Sequence, residues 1–236
     1  MIIKKAVPAG TAAATEEDLA LINRYALHPL TADQVYVFSV KLCDNAADRD
    51  MESFSRKALE ALQKLYVGKP GIFDHCWTAK GQTARIFRTE LVEDASGGNA
   101  ALEGEAYCWL KAWAYILRTD ETEDVIKQID GGILREVSVG CACEKLVCSI
   151  CGNDLYSAEC SHNKGDEYDG KTCLGILTDP TDAYEWSFVA VPAQPAAGVT
   201  KGMTQKPVDS AGGASADDTA DAEDLVTVEK LRFGGM

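Results

Sequence analysis

Between residues 134 and 162 the chain reads LREVSVGCACEKLVCSICGNDLYSAECSH, and two chemistries lie side by side in it. Cys148 and Cys151 form a C-x2-C pair followed by glycine, and Cys160 and His162 follow as CSH. Four soft or borderline donors this close in sequence can wrap one tetrahedral zinc ion. The tight turn of the first pair lets backbone amides donate to its sulfurs. The plain alternative is a loop of free thiols. Cys160 and His162 stand closer together than structural ligands commonly do, so Cys141, Cys143 and Cys173 are alternatives to His162. Four protein ligands leave no seat for water, so such an ion staples a segment and does not catalyse. The H-E-x-x-H pattern of a catalytic zinc helix is absent.

The second chemistry belongs to Ser138. On EVSVG, Val137 and Val139 point one way while Ser138 and Gly140 point the other. Gly140 leaves room for a neighbouring backbone or a substrate beside the hydroxyl. A serine becomes nucleophilic only beside a base that is itself held in place. The chain has three histidines. His162 falls in the cysteine cluster and His28 in the N-terminal segment. His75, in FDHCW, ends a short apolar run, and its chain neighbours Asp74 and Cys76 would face away from it in a strand.

These residues need elements to hold them. TEEDLALINRYAL, acidic at its start, predicts a short helix. QVYVFSVKLC alternates, placing Tyr36, Phe38, Val40 and Leu42 on one face of a strand. SFSRKALEALQKLYVGKP predicts a helix capped by Ser53, with Phe54, Ala58, Ala61, Leu62 and Leu65 inward and Gly68 and Pro70 ending it. GIFDHCW reads as a strand, and TARIFRTELVE and ALEGEAYCWLKAWAYI as strands around an EDASGGNA turn. DETEDVIKQIDGG predicts a helix closing on glycines. ILREVSVGCAC and AYEWSFVAVP are the remaining strands, and AQPAAG is expected to end the folded part. Strands with a few inserted helices indicate an α+β or mainly β barrel-like domain.

Composition sets bounds on function. The 236 residues suffice for one core with an insertion and a tail. No apolar run approaches the ~20 residues of a membrane span. MIIKKAVPAGTAAA lacks the apolar core of a secretory signal, and nine cysteines, an odd number, suit a reduced compartment better than a disulfide scaffold. A net charge of −14 disfavours nucleic acid, and no basic patch surrounds the cysteine cluster. DSAGGASADDTADAED is too small and polar to bury a core, which predicts a flexible acidic tail. The expected divisions are an N-terminal segment 1–33, a domain 34–197 with a cysteine-rich insertion 141–173, and a tail 198–236.

Three stretches in order, VGKPGIFDH, GILREVSVG and YEWSFVAVPAQPAA, resemble the prohead (capsid maturation) serine proteases of tailed bacteriophages. The resemblance covers roughly residues 34–197. It implies a herpesvirus-assemblin-like fold, α+β with a small, mainly antiparallel β-barrel flanked by helices. It makes Ser138 the nucleophile and His75 the general base. Herpesvirus relatives use a second histidine as third member, and no well-placed one exists here. Glu185, on the strand face of Ser187, takes that place, with Asp182 as rival. The implied substrates are scaffold and major capsid proteins and the protease itself, inside the procapsid in the host cytoplasm, with room for self-association and no membrane partner. The zinc-stapled insertion departs from the simplest family pattern. The rival reading is a catalytically inactive, zinc-stapled structural or interaction protein of the procapsid.

Overall fold

Alternation of apolar residues builds the core sheet. The structure is a computed structural model that describes residues 13–94 and 98–200. Strand β1 (Val35–Asp44) buries Tyr36, Phe38, Val40 and Leu42 on one face, as the alternation requires. Strand β5 (Cys108–Leu117), its antiparallel neighbour, buries Cys108, Leu110, Ala112, Ala114 and Ile116 in the same core. Strand β4 (Ala84–Glu93) pairs antiparallel with the other edge of β5. Helix α1 (Glu16–Ile22) begins in a capping box in which Thr15 and Asp18 satisfy each other's backbone amides. It buries Ile22 with Val35, Phe87 and Tyr115 in a second, smaller core.

Helix α2 (Arg56–Leu65) presents Ala58, Leu59 and Leu62 to the main core. Its cap is Ser55, whose side chain accepts from the Ala58 amide, and not Ser53. Ser53 and Phe54 belong to strand β2 (Glu52–Phe54), where Ser53 is buried and donates to the Asn45 carbonyl. Parallel pairing of β2 with a later strand straightens the chain there and shifts the helix start by two residues.

Strand β3 (Pro70–Phe73) follows, then a 3-10 turn (Ala79–Gly81), β4 and β5, and helix α3 (Glu123–Asp130). Strand β6 (Val137–Cys148), the short hairpin β7 (Glu167–Tyr168) and β8 (Lys171–Thr172), strand β9 (Gly175–Phe188) and strand β10 (Gly198–Thr200) complete the chain order. The main sheet runs β10-β1-β5-β4-β3-β9-β2, with β6 branching from β9. The architecture is therefore mixed α+β, mostly sheet, with three α-helices among the described residues. The sheet does not close into the small antiparallel barrel expected. The pairings of β9 with β2 and β3 are parallel, and β10 meets the approach to β6 by a single bridge, Glu136 to Gly198.

Gly198–Thr200, expected to open the tail, pairs with Ser39–Lys41 of β1. Val199 donates to Arg135 and fills an edge that would otherwise expose backbone groups. The rest of the expected acidic tail, residues 201–236, lies outside the described residues, as does the start of the N-terminal segment.

Candidate functional site

The β6–β9 ribbon fixes the register of the chemistry. Ser138 stands opposite Ser187 and Gly140 opposite Glu185. Val137, Trp186 and Phe188 point to the core, so Ser138, Gly140, Glu185 and Ser187 share the other face. A bulge between Gly140 and Cys141 resets the register just beyond this group.

His75 reaches the same face from β3, which lies parallel to β9 with Ile72 opposite Ser187 and Phe73 opposite Phe188. The strand expected over GIFDHCW stops at Phe73. Asp74 and His75 both take left-handed backbone angles, φ 50° and 53°. Such angles cost of order 1–3 kcal/mol each outside glycine. Both amides are held by β9: Asp74 donates to the Phe188 carbonyl at 3.0 Å and His75 to Ser187 Oγ at 3.1 Å. The turn rotates the imidazole over the ribbon, which a continued strand would not do.

His75 Nδ1 lies 2.8 Å from Glu185 Oε1. Glu185 Oε2 accepts from Ser187 Oγ at 2.6 Å. Glu185 is 3% exposed and Ser187 fully buried, while the imidazole side chain is 42% exposed. Both carboxylate oxygens are thus engaged inside the protein while the ring opens to solvent. With a carboxylate at Nδ1 the hydrogen sits on that nitrogen, and Nε2 carries the basic lone pair. The Ser138 hydroxyl has no hydrogen-bond partner among the described residues. Ser138, on β6, and His75, in the turn after β3, stand on either side of β9 without a hydrogen bond between them.

Three further residues border the group. Tyr66, fully buried, donates to the Gly140 carbonyl at 3.2 Å, and burial holds its phenol far above its ordinary pKa, keeping it a neutral donor. Trp77 and Tyr184, both exposed, pack together with ring centroids 5.3 Å apart and flank His75 and Glu185 in the chain. Asp182, the rival acid, does not meet His75. It pairs with Lys69 at 3.1 Å, and that contact first, then the Ala183 amide, holds its carboxyl below the ordinary range. A cavity of about 260 Å³ touches Ser138 and Gly140, yet neither His75 nor Glu185 lines it. Its walls also include Leu42, Phe54, Val137 and Leu177, which belong to or pack against the core.

The cysteine cluster forms where β6 ends. Cys148, Cys151, Cys160 and His162 offer one ligand atom each, all within 4.8 Å of one another, a set able to hold a metal ion. The Ile150 amide donates to Cys148 Sγ at 3.4 Å, and the turn closes through Gly152, whose φ of 76° suits glycine. Burial opposes ionisation of Cys148, but the Cys151 and Ile150 amides and the thiols of Cys173 and Cys151 outweigh it and bring its pKa down to about 7. Cys141 and Cys143, proposed as alternative ligands, interact with each other on β6, and Cys141 also with Tyr66.

Sequence reasoning noted Ser187 only as marking the Glu185 strand face. Its alternation with Glu185 was the available signal for a residue joining acid and histidine. Tyr66 carried no signal beyond helical spacing. Comparison of the chain with protein-family models, with curated proteins and with solved structures finds no match.

Proposed function

We propose that the protein is a serine endopeptidase in which Ser138 is the nucleophile, His75 the general base and Glu185 the acid that orients it. The observation that carries this reading is the bonding of His75 Nδ1 to a buried carboxylate on the face that also bears Ser138. Nε2 takes the Ser138 proton as Oγ attacks a peptide carbonyl. The imidazolium, stabilised by Glu185, returns that proton to the leaving amine, and water then cleaves the acyl-enzyme by the same route. Ser187 holds Glu185 and the His75 backbone at once. The resemblance of VGKPGIFDH, GILREVSVG and YEWSFVAVPAQPAA to prohead proteases supplies the substrate class. Scaffold and major capsid proteins, and the chain itself, are cleaved inside a phage procapsid in the host cytoplasm.

The cysteine cluster is a structural zinc centre in this reading. Four protein ligands fill a tetrahedral ion and leave no seat for water. It restrains the excursion between the strand of Ser138 and the strand of Glu185.

The reading is tested by incubating purified protein with scaffold and capsid proteins and mapping fragments by mass spectrometry. Cleavage by wild type and none by Ser138→Ala is expected. Equal cleavage by both rejects the assignment. The unpartnered Ser138 hydroxyl favours one second reading, a catalytically inactive, metal-stapled procapsid protein. That reading requires wild type to bind scaffold or capsid protein without cutting it.

A further inference from the structure

A fifth donor stands beside the four that lie within 4.8 Å of one another. Besides Cys148, Cys151, Cys160 and His162, the fully buried Cys173 places its sulfur 3.6 Å from Cys148 Sγ. Cys151 Sγ lies 3.7 Å from Cys160 Sγ. A tetrahedral ion with metal–sulfur bonds of ~2.3 Å has sulfur–sulfur edges of about 3.8 Å. The two observed separations use four different sulfurs, once each, as two opposite edges of one tetrahedron do. Cys160 Sγ to His162 Nδ1 is 3.9 Å. Metal bonds of ~2.3 Å to sulfur and ~2.0–2.1 Å to nitrogen would give an edge of about 3.5 Å, so the Nδ1 nitrogen stands slightly beyond a ligand edge from Cys160.

We propose that the metal is held by four thiolates, those of Cys148, Cys151, Cys160 and Cys173. His162 stands outside the tetrahedron, beside Cys160, with its ring edge-on to Tyr168 at a centroid distance of 4.4 Å. The choice changes what the ion ties together. With His162 as fourth ligand the closed ring ends at residue 162, and the β7–β8 hairpin hangs outside it. With Cys173 the ring runs from the last residue of β6 to two residues before β9. The ion then joins the two strands bearing Ser138 and Glu185 at their far end. Backbone contacts follow the same path: Ser149 donates to the Leu174 carbonyl, and the Leu174 amide donates to Ser149 Oγ. The inference does not depend on peptidase activity.

The test is X-ray absorption of zinc bound to the full-length protein, together with absorption spectra of the cobalt(II)-substituted protein. A shell of four sulfurs at ~2.3 Å without imidazole scattering is expected. In the cobalt protein, Cys173→Ala is expected to lose about a quarter of the thiolate-to-metal charge-transfer intensity, while His162→Ala leaves the spectrum unchanged. Three sulfurs with one imidazole in wild type would overturn the proposal, as would loss of one ligand in His162→Ala alone. Failure of the folded wild type to retain zinc would overturn it too. The wild-type measurement decides the matter even where Cys173→Ala does not fold.

Discussion

A Cβ at residue 140 would lie 2.3 Å from Glu185 Oε1, the oxygen that meets His75. Glycine is required there by close approach and not by a backbone angle. Gly140→Ala must displace the carboxylate, so kcat is expected to fall about 10²-fold or more while the protein stays folded, checked by kinetics beside circular dichroism. Glu185→Gln keeps the shape but removes the charge that stabilises the imidazolium. A loss of roughly 10²–10⁴-fold in kcat with little change in KM is expected. Asp182→Asn breaks only the pairing with Lys69 and is expected to do much less. The reverse order on one peptide at saturating concentration would move the acid to Asp182. Ser187→Ala leaves a buried carboxylate oxygen and the His75 amide without their partner. A cost of about 1–3 kcal/mol in denaturant unfolding is expected, with reduced activity. Motif order singled out Ser138, His75 and Glu185, and the structure joins His75 to Glu185 and sets Ser138 on the same ribbon face. The Ser187 bridge was not legible, because a hydroxyl that both donates and accepts looks in sequence like any strand serine.

At the scale of elements, alternation made β1 visible, and acidic residues after Thr15 made α1 visible. The β3 end was not visible, because Asp-His in left-handed geometry carries none of the glycine signal that usually marks such a turn. The cap expected at Ser53 failed for a different reason. Both serines suit a cap, and the parallel pairing of β2 with a strand more than 120 residues later decides between them. Ser55→Ala is therefore expected to cost ~1 kcal/mol by removing the helix cap, read as a shift in the urea midpoint. The hairpin at Tyr-Asp-Gly-Lys was available to sequence reasoning, since Asp-Gly favours the two-residue turn seen at Asp169 and Gly170. The exposed Trp77–Tyr184 pair flanks the site and offers an apolar contact for an extended peptide. Trp77→Ala is expected to raise KM with little effect on kcat. Chelating the metal is expected to speed amide exchange across residues 149–174 and to leave β1 and β5 protected, which hydrogen exchange with peptide resolution reads directly.

For the whole molecule, local patterns foretold most strands and all three described helices but not how the strands meet. Strand β9 serves three neighbours, β6 antiparallel and β2 and β3 parallel, and nothing in its own sequence separates these edges. Their consequence is the placement of the candidate site. The β3–β9 pairing brings His75 to Glu185 across 110 residues, and the β6–β9 pairing sets Ser138 opposite Ser187 on the same ribbon face. The cysteine cluster sits at the other end of the β6–β9 ribbon, so in the proposed reading one pair of strands carries both the chemistry and the staple. The central claim is that this arrangement makes Ser138 a nucleophile. The most direct measurement is labelling of the full-length protein with a fluorophosphonate, followed by peptide mass spectrometry. A single adduct on Ser138, abolished by His75→Ala, is the predicted result. A folded, metal-bound protein that acquires no adduct on Ser138 would contradict it.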